Sequence, residues 1–222
     1  MDFPCRHEQY TKKLLSIFNT LLQTFGKRHW WPGETALEIL VGAVLTQNTS
    51  WKNVEKAIAN LKRHNALNID KLYRMDRAEL ARIIMPSGFY NIKSNRLKNI
   101  INIIYNDYDS NILNLYTIDV WNTRDKLLAI KGIGKETADS IILYALNKPI
   151  FVIDAYTKRF LQNHKLYSGQ TDYDSLQKYF MENLPADTYL FNEFHALIVY
   201  LCQNFCKKIP DCHRCPLKDD LK

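Results

Sequence analysis

Apolar residues recur at helical spacing along almost the whole of this chain. Leu14, Leu15, Ile17, Phe18, Leu21, Leu22 and Phe25 share one face of a helix predicted over about residues 8–25. Residues 34–46 are apolar on nearly every face, through Leu37, Ile39, Leu40, Val41, Val44 and Leu45, which predicts a helix buried inside a bundle. Ser50 stands where an N-cap belongs, ahead of a helix with Val54, Ile58 and Leu61 inward. Asp76 caps another, which ends at Pro86-Ser87-Gly88. A longer helix over about 91–106 turns Leu97, Ile100, Ile101 and Ile104 inward. Further helices are predicted near 135–146, 154–163, 173–183 and 189–206, and the one strand-like run, 149–153, is short. The expected fold class is all-α.

The 222 residues suffice for one sizeable domain or two small ones. With 46% hydrophobic and 24% charged residues the chain reads as globular, and its formal charge of +7 modestly favours a polyanionic partner. No apolar stretch is long enough to cross a bilayer, and the first residues carry no secretory core. A cytoplasmic protein without a membrane partner is expected. Of five cysteines, Cys202, Cys206, Cys212 and Cys215 cluster near the C-terminus, while Cys5 stands apart. Clustered thiols in a reducing compartment point to metal more than to disulfides.

Three stretches carry candidate chemistry. In Ile130-Lys131-Gly132-Ile133-Gly134-Lys135, the two glycines are expected to permit a turn that a Cβ would resist. The helix that follows starts with free N–H groups, which suit a phosphate. An apolar run then leads to a lone carboxylate, Asp154, which also stands where a helix N-cap would. Upstream, His29-Trp30-Trp31-Pro32 and Gln47-Asn48-Thr49-Ser50-Trp51 bring tryptophans to both ends of the buried helix. Indole faces attract cations by about 0.5–2 kcal/mol.

Residues Leu127 to Ala138 resemble the helix–hairpin–helix of the endonuclease III superfamily of DNA glycosylases. That family's Val-Asp pair has its counterpart in Ile153-Asp154, its Gln-x-Thr element in Gln47-Asn48-Thr49, and its Gly-x-Tyr-Asn element in Gly88-Phe89-Tyr90-Asn91. The resemblance spans roughly residues 28–215. It implies a two-lobed fold, with a six-helix domain over 28–148 and a second domain from 1–27 plus 149–222. It also implies a monomer with damaged double-stranded DNA lying across the cleft. Gly132, Gly134 and Lys135 would hold a phosphate, Gln47 and Phe89 would be wedges, and Asp154 would be the catalytic carboxylate. The family's lyase members carry a lysine directly before Thr-Ala; here Glu136 stands there, and a carboxylate cannot form an imine. Lys135 is one residue away, a rotation of about 100° on a helix. Hydrolysis without strand cleavage is therefore the expected chemistry.

The Trp-Trp-Pro and Gln-Asn-Thr elements and Trp51 are similar to those of the bacterial 3-methyladenine DNA glycosylase subgroup. The resemblance implies that Trp51 stacks on a flipped base while Trp30, Trp31 and Pro32 shape its pocket, and that the substrate is an alkylated purine such as 3-methyladenine. Alternatives are a glycosylase for mispaired or oxidised pyrimidines, and a non-catalytic damaged-DNA binding module. Cys206-x5-Cys212-x2-Cys215 resembles the family's iron–sulfur loop, with the first gap one residue short and no cysteine after Cys215. Cys202, one helical turn before Cys206, would supply the fourth thiolate of a [4Fe–4S] cluster; zinc or an empty loop are the alternatives.

Overall fold

The computed structural model describes residues 3–218, with side chains from His7 onward, so the Cys5 side chain lies outside the described residues. The described residues form helices and connecting turns without strands. None of these helices is long and apolar enough to cross a membrane. Eleven α-helices follow in order: α1 Phe3–Phe25, α2 Ala36–Leu45, α3 Trp51–Arg63, α4 Ile69–Arg74, α5 Arg77–Ile83, α6 Tyr90–Asp107, α7 Val120–Leu128, α8 Lys135–Ser140, α9 Ala155–Asn163, α10 Tyr173–Asn183 and α11 Thr188–Asn204. They divide into two compact units, residues 31–148 and residues 1–30 with 149–222.

The unit of residues 31–148 is built around α2, whose Leu40, Val41, Val44 and Leu45 are fully buried. Thr35 caps α2 by accepting the Glu38 N–H at 3.1 Å, and the Glu38 carboxylate accepts the N–H of Glu34, one residue before the cap, at 3.2 Å. Val54, Ala57, Ile58 and Leu61 of α3 and Leu97, Ile100, Ile101 and Ile104 of α6 are buried in the same core. Ser50 holds the N-cap position of α3 in extended backbone, yet its side chain makes no capping bond there. The helix expected from Asp76 to Pro86 is shorter than predicted. Asp76 caps it as foreseen, but α5 ends at Ile83 and Pro86 lies in a 3-10 turn, Met85–Ser87. α8 runs on into a wider π-turn over Ile141–Ala145. The two helices flanking the hairpin are clamped by Arg124 of α7 and Asp139 of α8, whose Nε–Oδ1 distance is 2.8 Å with the carboxylate fully buried. Nε and one Nη of the guanidinium donate to the two carboxylate oxygens, the geometry that makes a buried pair tolerable.

The other unit packs Leu14, Ile17 and Leu21 of α1 with Phe180 of α10 and Phe191, Phe194 and Leu197 of α11. The run 149–153, strand-like by sequence, is an extended connector in which Ile150, Phe151, Val152 and Ile153 are all buried. Side chains satisfy its backbone: Gln177 Nε2 donates to the Phe151 carbonyl at 2.7 Å, and Tyr173 Oη accepts the Ile153 N–H at 3.3 Å. The Phe151 ring stacks on Phe180 at 3.9 Å, which fixes the approach to Asp154.

Candidate functional site

The hairpin lies between α7 and α8, anchored inward by the buried Ile130 and Ile133 and closed by the Ile133 N–H on the Ile130 carbonyl at 3.0 Å. Gly132 has φ +96°, and a Cβ there would stand 2.4 Å from Arg96 Cγ. Only glycine meets both demands. Gly134 is different from the expectation. Its φ of −96° and ψ of 175° are open to any residue, and a Cβ would meet nothing within 4 Å. As the N-cap of α8 it leaves the outer face of the turn bare, next to the exposed Lys135 and Glu136.

One face of α6 holds the neighbouring loops. Lys93, Arg96 and Asn99 recur every three residues. Lys93 is 1% exposed, and its Nζ donates to the carbonyls of Leu45 at 2.8 Å and Ser87 at 2.6 Å. Burial, with the charge of Arg96 added, pushes its pKa down to about 8. Arg96 donates to Gln47 Oε1, and Asn99 Nδ2 donates to the Lys131 carbonyl at 2.9 Å. Gln47 Nε2 in turn donates to Thr137 Oγ1 at 2.9 Å and the Gly132 carbonyl at 3.3 Å. Gln47, read from the sequence as a wedge, is therefore engaged with the hairpin, and insertion into a base stack would first break these bonds. Phe89 is displayed. It is 65% exposed, in left-handed backbone at φ +47°, directly after Gly88 at φ +67°. Such strain in a non-glycine residue persists only where its surroundings over-determine it.

Of the tryptophans, Trp31 and Trp51 meet edge to face at 5.2 Å. Tyr144 from the π-turn joins them, tilted 5.2 Å from Trp31. Gly42 makes room for this, since a Cβ there would come within 3.0 Å of Trp31 Nε1. The Trp51 indole N–H donates to Glu55 at 2.8 Å, which fixes its ring. Pro32 is exposed, and Trp30 falls in the other unit.

Asp154 is the N-cap of α9. Its Oδ1 accepts the Thr157 N–H at 2.7 Å and the Thr157 hydroxyl at 2.9 Å, while its Oδ2 stands 3.6 Å from His195 Nε2 of α11. Burial works to raise this carboxyl, but the His195 ring and the Thr157 donors outweigh it and hold it below the usual carboxylate range. The capping role and a fixed, ionised carboxylate coexist in one side chain, which remains 15% exposed.

Cys202 lies in the last turn of α11 and Cys206 just beyond its end. Cys202 Sγ donates to the Tyr156 carbonyl at 3.5 Å, the Asn163 amide donates to Cys206 Sγ at 3.3 Å, and the neighbouring Cys202 thiol, His164 and Asn163 favour the thiolate of Cys206. Cys206, Cys212 and Cys215 line one cavity of about 130 Å³ with Asn163, His164 and Asp211. Among the described residues, no three His, Cys, Asp or Glu side chains gather closely enough for a single metal ion.

Lys93, Arg96, Tyr144 and His195 are the residues that sequence reasoning missed. Lys93 carried a faint signal, a lysine on the inward face of a predicted helix two residues after the Gly-Phe-Tyr-Asn element. His195 carried none, since its neighbour in space is Asp154 on another helix.

A family model described as "HhH-GPD superfamily base excision DNA repair protein" matches residues 41–186. The chain is 45% identical over 213 residues to "Putative DNA repair glycosylase MJ1434" of Methanocaldococcus jannaschii, covering 96% of this chain and 97% of that one. It is 28% identical over 184 residues to Endonuclease III of Sulfolobus acidocaldarius, covering 82% and 80%. Among solved structures, H. pylori 3-methyladenine DNA glycosylase bound to 1,N6-ethenoadenine superimposes with a TM-score of 0.70 at 34% identity, over 87% of this chain and 95% of that one. A non-covalent endonuclease III–DNA complex matches with a TM-score of 0.78 over 94% of both chains; at 18% identity this is a likeness of fold.

The hairpin geometry sets an expected outcome. Gly132→Ala combines an unfavourable φ with the Arg96 clash and should cost more than about 1 kcal/mol, a fall of roughly 2–4 °C or more in thermal midpoint. Gly134→Ala should cost less, because the backbone there does not demand glycine and only glycine's advantage over alanine as an N-cap is lost. Equal losses from the two variants in a thermal melt would contradict this account of the turn.

Proposed function

Since the chain belongs to the HhH-GPD superfamily of base excision DNA repair proteins, we propose that it is a monofunctional DNA glycosylase that hydrolyses the N-glycosidic bond of an alkylated purine such as 3-methyladenine. The observation that carries the substrate class is the Trp31, Trp51 and Tyr144 cluster, together with the likeness to the H. pylori enzyme. A purine alkylated at N3 is cationic and already a good leaving group. Aromatic faces stabilise the cation by about 0.5–2 kcal/mol, so strong acid catalysis is unnecessary. Asp154 Oδ2 then stabilises the positive charge that develops on the sugar and orients or deprotonates the attacking water. Thr157 and His195 hold it in place. Glu136 occupies the position before Thr137-Ala138 where lyase relatives need a lysine, so no Schiff base forms and the backbone stays intact. Phe89 fills the gap left by the extruded nucleotide, and the bare turn at Gly134 and Lys135 takes a backbone phosphate.

For the cysteines, we propose a structural [4Fe–4S] cluster held by Cys202, Cys206, Cys212 and Cys215. A single zinc ion needs four ligand atoms about 2–2.3 Å from one point. A cluster spreads its thiolates around a larger body, which suits Cys206, Cys212 and Cys215 around an open cavity better, with Cys202, one helical turn before Cys206, as the fourth. Its contribution would be to fold the loop after α11.

Asp154→Asn should retain duplex binding and lose base release from methylated DNA by about 10²–10³-fold. The wild-type rate should hold through the usual carboxylate range and fall on the acid side only below it, since the carboxyl is held low. Undiminished release by the Asn variant would refute the catalytic role, and release of oxidised pyrimidines alone would move the substrate class. Freshly purified protein should be brown, absorbing at about 400 nm; colourless protein carrying zinc would contradict the cluster.

A further inference from the structure

Lys93 is a fully buried lysine with no carboxylate among its hydrogen-bond partners here, and the chemistry above does not use it. Its two bonds go to particular carbonyls. Leu45 closes α2 and lies two residues before Gln47; Ser87 closes the 3-10 turn and lies two residues before Phe89. Each loop then passes through a left-handed residue, Asn48 at φ +54° in one and Phe89 at φ +47° in the other. Carbonyls at the ends of helical segments lack partners within the helix. Here one ammonium serves one from each segment and so ties both loops to the same point on α6. One turn further along, Arg96 connects Gln47 to the same helix and lies under Gly132.

We propose that Lys93 is the positioning residue that sets the Gln47 and Phe89 loops in register with each other and with the hairpin, so that base extrusion depends on a side chain that never touches DNA. This rests on the reading of the chain as a base-extruding glycosylase with Phe89 as its wedge. The tie does not require the charge. With a pKa of about 8 the side chain is part amine near neutral pH, and an amine still has two N–H donors for two carbonyls. The role is geometric, and an apolar residue of the same length cannot perform it.

Lys93→Met keeps the volume and removes both donors. Binding of an undamaged duplex, followed by anisotropy, should change by less than about twofold, because phosphate contacts are untouched. Extrusion of a methylated base, followed by 2-aminopurine fluorescence at the neighbouring position, should slow by about tenfold or more, as expected for losing two bonds to buried carbonyls. Base release should slow equally. Phe89→Ala should slow extrusion as well, and the double variant should be no slower than the slower single variant, since both act through one loop. Extrusion by Lys93→Met at the wild-type rate would overturn the proposal, as would effects that multiply in the double variant. If Lys93→Met melts below the assay temperature, Lys93→Arg takes the same readouts; it keeps the charge but cannot seat one nitrogen between the two carbonyls, and an unimpaired Arg variant would overturn the proposal. A wild type that binds duplex but gives no fluorescence change on any damaged substrate defeats the extrusion reading itself, an outcome distinct from a tie that fails alone.

Discussion

Gly132 has room for a hydrogen atom and nothing more, because the Arg96 side chain lies where a Cβ would be. That close approach brings α6 against the hairpin, and much of the unit of residues 31–148 follows from it. Arg96 reaches Gln47, Gln47 reaches Thr137 and the Gly132 carbonyl, and Asn99 reaches Lys131. Lys93 adds the ends of α2 and of the 3-10 turn. The buried Arg124–Asp139 pair holds the two hairpin helices together from the other side. The bare turn at Gly134 and an exposed, strained Phe89 are thereby carried on one framework. Preorganisation of this kind is what the proposed extrusion would need, since unstacking a base costs a few kcal/mol.

In the other unit the constraint is capping. Asp154 must accept the Thr157 N–H to start α9, and this fixes Oδ1 and leaves Oδ2 towards His195. The plain structural role and the proposed catalytic one are thus the same geometry. A carboxylate this buried would ordinarily drift towards the neutral form; the Thr157 donors and the His195 ring reverse that. Such a group can stabilise developing positive charge without a proton transfer of its own.

The all-helical fold was legible because α1, α3 and α6 are long and their apolar faces regular. α4, at six residues, is too short for periodicity to register, and α7 is mostly polar, with Thr123, Arg124 and Leu127 its buried residues. The 149–153 run looked like a strand because complete burial leaves a similar apolar signature, and only Gln177 and Tyr173 reveal how its backbone is satisfied. At the site, Gly132 and Asp154 could be read from local motifs. Gly134 was read for a backbone reason that does not hold, and the engagement of the Gln47 amide with Thr137 and the Gly132 carbonyl left no local signal. Tyr144 and His195 were out of reach, because each is defined by a neighbour on a distant element.

The account stands or falls on hydrolysis without strand cleavage. Free base and strand breaks should be counted from the same methylated duplex, before and after alkali. The account predicts that alkylated purine is released while the backbone remains whole until alkali is added. Nicks that appear in step with base release before alkali would mean that an amine of this chain attacks the sugar, and would contradict the role assigned to Glu136.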